Sequence, residues 1–380
     1  MNWSEKDLAE LPSPCYVIDL DILEANLELM QKRCTLLGIK PLLSIKGFPL
    51  AHLFEDIAPY LFGLSAASLF EARLGQRMGK EVHIHAPAYR PDEFGEIMEL
   101  CDHIVFNSIE QWERYREAVL HSGRNISCGL RINPEYSEIE TNKYNPCLPG
   151  SRFGVTEAKL CRSTIAEIEG FHMHALCDQG AETLTRVVAA MFNKFEKFLP
   201  SLSWINFGGG HQLADADYRF ELLREPISKL RLEYGLEVYV EPCEAIVTSA
   251  GFLVSTVLEI VSDEKPTAIL DTSAICHMPD VLEMPYRPDV ISPANDTLGG
   301  NTYILAGVSC LPGDIIGEYE MKEPLHLGDK IIFSDMGAYT FAKENYFNGI
   351  NYPTIAVYSK KEGMRIVKSF NYSDYEAQYY

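Results

Sequence analysis

Short apolar runs alternate with longer charged stretches along the first two thirds of the chain. The runs fall near residues 41–46, 62–66, 82–85, 103–106, 128–132, 168–174, 204–207 and 237–240. Stretches with apolar residues at helical spacing separate most of them, at 68–79, 91–100, 109–121, 182–199 and 218–234. Eight strands alternating with helices predict a (β/α)₈ barrel. A doubly wound parallel sheet is the other arrangement this order allows. An earlier run, 14–20, reads as a strand of its own. Asp21 after it has the chemistry of a helix N-cap, with Glu24 completing a capping box. Leu23, Leu27, Met30, Cys34 and Leu37 then recur on one helical face.

The texture changes after residue 245. Runs at 254–261, 267–270, 302–308, 330–333, 354–358 and 364–367 read as strands, punctuated by Gly, Pro, Asn and Asp clusters. They predict a mostly β domain, joined by the N-terminal strand. The expected division is a barrel over 22–245 and a β domain from 1–21 plus 246–380. Neither an internal repeat nor a low-complexity linker interrupts it.

Composition narrows the function classes. At 380 residues the chain has material for two cores. No apolar run approaches the roughly 20 residues of a membrane span. The polar start Met-Asn-Trp-Ser-Glu-Lys-Asp lacks the apolar core of a signal peptide, so a cytoplasmic enzyme is expected. The net charge of −21, from 33 basic and 54 acidic residues, argues against nucleic acid and anionic membranes as partners. It suits a cationic substrate. The ten cysteines are scattered without a Cys-x-x-Cys, which speaks against structural zinc and for reduced thiols.

Barrel chemistry sits at the C-terminal ends of the strands, and those positions carry reactive residues. Lys46 follows Leu42-Leu43-Ser44-Ile45 and precedes Gly47. If buried there, its ammonium is disfavoured and the free amine can form a Schiff base with an aldehyde such as pyridoxal phosphate (PLP); if not, it caps a strand end in water. The third strand ends at His83-Ile84-His85 and the fifth carries Arg131. His172 and His174 alternate on the sixth, as a core residue and either a structural one or a flat stacking surface. Gly208-Gly209-Gly210 ends the seventh: a tight turn, or backbone amides open to a phosphate. Glu241 closes the eighth, either in a rim salt bridge or holding a proton on a pyridine nitrogen so that the ring draws electrons. In the β region, Cys310 lies in the irregular run Gly307-Val-Ser-Cys-Leu-Pro-Gly-Asp314. Tyr339 lies in Gly337-Ala-Tyr-Thr, either packed or facing a phosphate.

Taken in order, these residues resemble the fold-type III PLP-dependent decarboxylases, the ornithine, diaminopimelate and arginine decarboxylase group. The resemblance runs from Cys15-Tyr-Val-Ile-Asp-Leu to Phe347-Asn-Gly. It rests on Ser44-Ile-Lys46-Gly-Phe, His174-Ala-Leu-Cys177-Asp-Gln179, Asn206-Phe-Gly-Gly-Gly-His211, the stretch from Cys276-His-Met-Pro to Tyr286-Arg287-Pro288, and Gly337-Ala-Tyr-Thr. The branch it most resembles is the carboxynorspermidine (carboxyspermidine) decarboxylases of polyamine biosynthesis. The resemblance implies an alanine-racemase-like PLP barrel with a C-terminal β-barrel or sandwich domain, in a homodimer with shared sites. It implies that Lys46 carries the cofactor aldehyde and His174 stacks on the ring. Gly208, Gly209, Gly210 and Tyr339 take the phosphate, Glu241 pairs with the pyridine nitrogen and Arg131 lies near the phenolic oxygen. Cys310 crosses the dimer interface to return a proton after CO₂ leaves, and Asp314 lies near the substrate's distal amine. Asp271, Asp280, Glu283 and Asp314 form the acidic set expected to read a polyamine tail.

Two departures stand out. Relatives often carry Glu-Pro-Gly-Arg, where this chain has Glu241-Pro242-Cys243-Glu244, so a cationic phosphate contact is missing. Leu176 and Cys177 replace the Gly-Ser that supplies a hydroxyl. Diaminopimelate decarboxylation is the nearest alternative, and Arg287 resembles an arginine those enzymes carry. A racemase is disfavoured by Glu241, a barrel-only PLP carrier by the β domain, and a cysteine hydrolase by the lack of a histidine partner for Cys310.

Overall fold

The computed structural model describes residues 3, 5–261, 265–284, 286–291 and 300–380. The chain divides into two compact units, Asn26–Ile246 and Met1–Ala25 with Val247–Tyr380.

Strand β1 (Cys15–Asp19) belongs to the second of these. In Asn26–Ile246, strands β2 (Ile39–Ser44), β3 (Gly63–Ala66), β4 (Glu81–His85), β5 (His103–Phe106), β6 (Ser127–Arg131), β7 (Gly170–His172), β8 (Trp204–Asn206) and β9 (Glu237–Val240) pair in parallel, each with the next. β9 returns to β2 and closes the barrel. The strands read as near-continuous apolar runs because helices cover one face and barrel-filling side chains the other. Leu42, Val105, Trp204 and Tyr239 form one such cluster.

Helix starts follow local chemistry. The Ser68 and Ser108 hydroxyls accept the amides of Glu71 and Gln111, capping Leu69–Gly75 and Ile109–Leu120, each worth about 1 kcal/mol. The cap expected at Asp21 lies two residues earlier: Asp19 Oδ1 accepts the amides of Asp21 and Ile22 and starts the helix Leu20–Leu37. Asp21 instead accepts the Lys360 amide. The helix expected over 218–234 is broken into a 3₁₀ turn, a short α-helix and a π turn, with Pro226 inside; proline removes a helical donor and crowds the preceding turn.

The other unit is a nine-stranded mixed sheet. Its centre is β10 (Gly251–Val261), antiparallel to β1. β11 (Thr267–Leu270) pairs with the far half of β10. β12 (Val290–Ile291) reaches the sheet through β15 (Lys330–Ser334), which also pairs with β10. β13 (Asn301–Ala306) and β14 (Ile315–Met321) extend the β11 side; β16 (Thr354–Ser359) and β17 (Gly363–Lys368) extend the β1 side. The fully buried β1 thus lies between β10 and the parallel β16, packing Cys15 and Val17 with Trp3, Leu11, Phe252, Val254, Ile332, Ala356 and Tyr358. No helix of the described residues is long and apolar enough to cross a membrane.

Candidate active site

At the C-terminal ends of the barrel strands the structure gathers His85, Arg131, His172, His174, the glycine loop and Glu241. The Arg131 guanidinium reaches His85 Nε2 and the His174 carbonyl, each at 3.4 Å, and packs over Phe153 at 4.3 Å. Burial lowers its pKa to about 10, against the pull of Glu241. His85 stacks on His172 with ring centroids 4.8 Å apart. Gly209 donates its amide to His174 Nδ1 at 3.1 Å. That fixes the tautomer: the His174 proton sits on Nε2. Burial, with Lys46 and Arg131 nearby, holds His174 well below its ordinary pKa, so the ring is neutral.

Glu241 is buried. Its Oε1 accepts Asn206 Nδ2–H at 2.8 Å and lies 3.4 Å from His172 Nε2. Burial alone would raise its pKa, but His172 and the Lys46 ammonium oppose it, and the carboxyl lies well below the usual range. His172 is itself depressed by burial, and neither of its ring nitrogens finds a hydrogen-bond partner among the described residues.

Of the two readings of Lys46, the structure shows the exposed one. β2 is buried, as expected, but ends at Ser44. A turn closed by Gly47 N–H to the Ser44 carbonyl at 3.3 Å lifts Lys46 out of the strand layer, and its side chain is exposed. Its charge nonetheless acts on His85, His172, His174 and Glu241.

The triple glycine is required by backbone contact. Gly208 and Gly210 have φ of 68° and 83°. A Cβ on Gly208 would lie 2.8 Å from the Met173 carbonyl oxygen, and one on Gly210 2.4 Å from that of Leu176. Gly208 donates its amide to Asn206 Oδ1 at 2.8 Å and Gly209 to His174. Of the three expected phosphate donors, two are therefore engaged within the protein, leaving the Gly210 amide.

His83 belongs elsewhere. It lies mid-strand, stacked on His103 with centroids 3.8 Å apart and beside Glu81. The three bring ligand-type atoms within 4.8 Å of one another. Both Nδ1 atoms are buried without hydrogen-bond partners among the described residues, so a metal on the opposite nitrogens would lack the outer hydrogen bonds that imidazole ligands use.

In the sheet unit the acidic set is largely occupied. Asp314 is buried and accepts Ser273 Oγ–H at 2.8 Å, the Ala274 amide at 2.7 Å and the Ser309 amide at 3.2 Å. It pins the Gly307–Asp314 loop to the helix Ala274–His277 rather than offering its charge to solvent. Asp271 accepts Ser255 Oγ–H and the Thr256 amide at 2.9 and 2.8 Å, holding β10. Asp280 and Glu283 share Lys343. Cys310 is exposed, with its amide donated to Asn348 Oδ1 at 2.8 Å. Tyr339 is half-buried at φ 54°. Arg287 packs over the Tyr319 ring at 5.1 Å and donates to the Glu318 carbonyl, a structural placement; Pro285 in the same motif lies outside the described residues. Sequence reasoning missed Asn206 as a site residue, although a strand-end amide side chain separated by one residue from three glycines was a signal.

A family model described as "Pyridoxal-dependent decarboxylase, C-terminal sheet domain" matches residues 15–337. A carboxyaminopropylagmatine decarboxylase of Synechocystis is 40% identical over 97% of this chain and 95% of its own. A carboxynorspermidine/carboxyspermidine decarboxylase of Campylobacter jejuni is 36% identical over 96% and 98%. The solved carboxynorspermidine decarboxylase of Campylobacter jejuni, complexed with norspermidine, superposes with a TM-score of 0.86 at 34% identity, covering 97% of this chain and all of that one. The barrel fits PLP: a buried carboxylate kept ionised, a neutral imidazole and a side-chain-free loop suit a protonated pyridine with a phosphate arm. On this site, the (β/α)₈ barrel with its mixed sheet unit, and these relatives, the chain belongs to the pyridoxal-dependent decarboxylases.

Proposed function

We propose that the chain decarboxylates a carboxylated polyamine, carboxynorspermidine or carboxyspermidine, releasing norspermidine or spermidine. The observation that carries the reading is Glu241, a buried carboxylate held ionised at the barrel mouth, where a protonated ring nitrogen gives it a partner. PLP, when bound, supplies an aldehyde for the substrate amine and an electron-withdrawing ring for the charge left as CO₂ departs. Lys46 is the amine that would hold the cofactor aldehyde. Glu241 holds the proton on the ring nitrogen. His174, neutral and fixed by Gly209, offers a flat face without a competing charge. Arg131 balances negative charge on the same side, and Gly210 with Tyr339 takes the phosphate. Cys310 supplies the proton that replaces CO₂, from the partner subunit of a homodimer. In this reading residues 22–245 are the cofactor barrel, and 1–21 with 246–380 complete the site across the dimer interface. Ten cysteines, none in a disulfide among the described residues, fit a cytoplasmic setting.

The substrate tail is cationic, and Asp280 with Glu283 are the carboxylates to meet it. Two carboxylates on one Lys343 leave a net charge of −1. Asp271 and Asp314 serve the architecture instead. A second reading, decarboxylation of carboxyaminopropylagmatine, is favoured by the 40% identical relative of that name; its guanidinium tail suits the same carboxylates. Diaminopimelate decarboxylases match at 21–26% identity, and Arg287 is engaged along β14.

The test is product identification by mass spectrometry after incubating PLP-loaded protein separately with carboxynorspermidine, carboxyspermidine, carboxyaminopropylagmatine, diaminopimelate and ornithine. Norspermidine or spermidine as the main product supports the first reading. Aminopropylagmatine selects the second, and lysine alone overturns both.

A further inference from the structure

We propose that Asn206 is a positioning residue that sets the direction of the Glu241 carboxylate and ties it to the glycine loop. The inference rests on the reading that Glu241 pairs with the cofactor ring nitrogen.

Asn206 is the last residue of β8 and is 1% exposed. Its amide spans two strand ends. Nδ2 donates to Glu241 Oε1 at 2.8 Å, and Oδ1 accepts the Gly208 amide at 2.8 Å. The orientation is unambiguous, because a backbone N–H only donates and an ionised carboxylate only accepts. The backbone repeats the link: the Glu241 amide donates to the Gly208 carbonyl at 2.7 Å, and the Met173 amide to the Asn206 carbonyl at 2.8 Å. Both polar contacts to Glu241 fall on Oε1, which leaves Oε2 to meet the ring nitrogen. Aspartate at 206 keeps the acceptor for Gly208 but replaces the donor with a second carboxylate. Two carboxylates at that spacing do not both stay ionised.

The test compares wild type, Asn206→Asp, Asn206→Ser and Glu241→Gln. Each is measured as holoenzyme for kcat, KM, the pH profile of kcat, the absorbance of bound PLP and the PLP dissociation constant. For N206D the expected result is kcat lowered about 10- to 100-fold, the size seen when a partner orienting a functional side chain is lost. KM stays within about threefold, the acidic limb of the pH profile moves up, and the absorbance band shifts, while the melting temperature changes little. N206S, too short to reach Glu241, shows the kcat and absorbance changes without the pH shift. Wild-type kcat, pH profile and spectrum in N206D and N206S, with E241Q impaired, overturn the proposal. Failure of both Asn206 variants to fold also overturns it, since Asn206 would then be a folding residue first. A normal E241Q instead overturns the ring-nitrogen reading beneath it.

Discussion

Replacing Gly210 with alanine tests whether the glycine loop is built by backbone contact or merely tolerates it. Gly210 has φ of 83°, and its added Cβ would lie 2.4 Å from the Leu176 oxygen, 2.5 Å from the Leu176 carbonyl carbon and 2.8 Å from the Cys177 nitrogen. All three are main-chain atoms, so no side chain can swing aside. Left-handed backbone costs a non-glycine residue about 1–2 kcal/mol, and overpacking adds about 1–3 kcal/mol. The expected loss is therefore about 2–5 kcal/mol. Gly79→Ala separates the two contributions, because Gly79 has φ of 66° and nothing within 4 Å. It should lose only about 1–2 kcal/mol, partly offset by the stiffer unfolded chain. Gly209→Ala supplies the complement, with no positive φ and a Cβ 2.8 Å from the Glu241 oxygen. Urea unfolding gives the stabilities and absorbance titration the affinity for PLP. G210A moves Leu176, two residues past His174, so its PLP affinity should fall about tenfold or more while that of G79A holds. If G210A matches G79A within about 0.5 kcal/mol and binds PLP as tightly, the backbone-contact argument is wrong.

Further outcomes follow from other groups. Burial depresses His103 to about 2 and His211 and His277 to about 4; below about pH 6.5 the unfolded chain takes up protons the folded one refuses. Stability should fall as pH drops from 6.5 toward 4, by up to about 1.4 kcal/mol per pH unit per histidine; a urea midpoint unchanged between pH 7 and 5 would contradict this. Asp314→Ala strands the Ser273 hydroxyl and the amides of Ala274 and Ser309 and should cost about 3–5 kcal/mol, with Asp314→Asn recovering part. A melting temperature for D314A within about 2 °C of wild type would refute it. Lys343→Met takes the local charge from −1 to −2 by removing the shared cation of Asp280 and Glu283. KM for a cationic-tailed substrate should then fall about 3- to 10-fold at low salt, with the gain lost at high salt. An unchanged KM would place tail recognition elsewhere.

The eight barrel strands were legible because a strand covered on both faces is apolar throughout, and no other element of that length reads so. β14 was missed for the opposite reason. In its sequence Ile-Ile-Gly-Glu-Tyr-Glu-Met the apolar Ile315 is exposed and the alternation slips at Gly317 and Glu318, so the period shows over only three or four residues. The helix cap was misplaced because Asp19 and Asp21 have the same chemistry, and only the end of β1 decides which faces the free amides. His85, Arg131, His174 and Glu241 gather at one end of the barrel because the apolar runs that precede them stop there. Lys46 shows the limit of that rule, since the strand ends two residues early, at Ser44, and only that stop decides that its side chain is exposed.

Two of the four acidic residues, Asp271 and Asp314, are engaged within the sheet unit. Charge is read from sequence residue by residue, but recognition depends on what is left after pairing. Asp314 stands beside Cys310, where a substrate-facing carboxylate was expected, yet its oxygens are taken by a helix start and by its own loop. Gly307 is part of that arrangement, because a Cβ there would lie 2.3 Å from Asp314 Oδ2. The pair Gly307 and Asp314 therefore specifies one loop shape. Removing the carboxylate would disturb the placement of Cys310 before any tail contact. A kcat effect in an Asp314 variant with KM unchanged is accordingly the outcome this geometry requires. The converse, KM raised at constant kcat and melting temperature, would return Asp314 to the substrate.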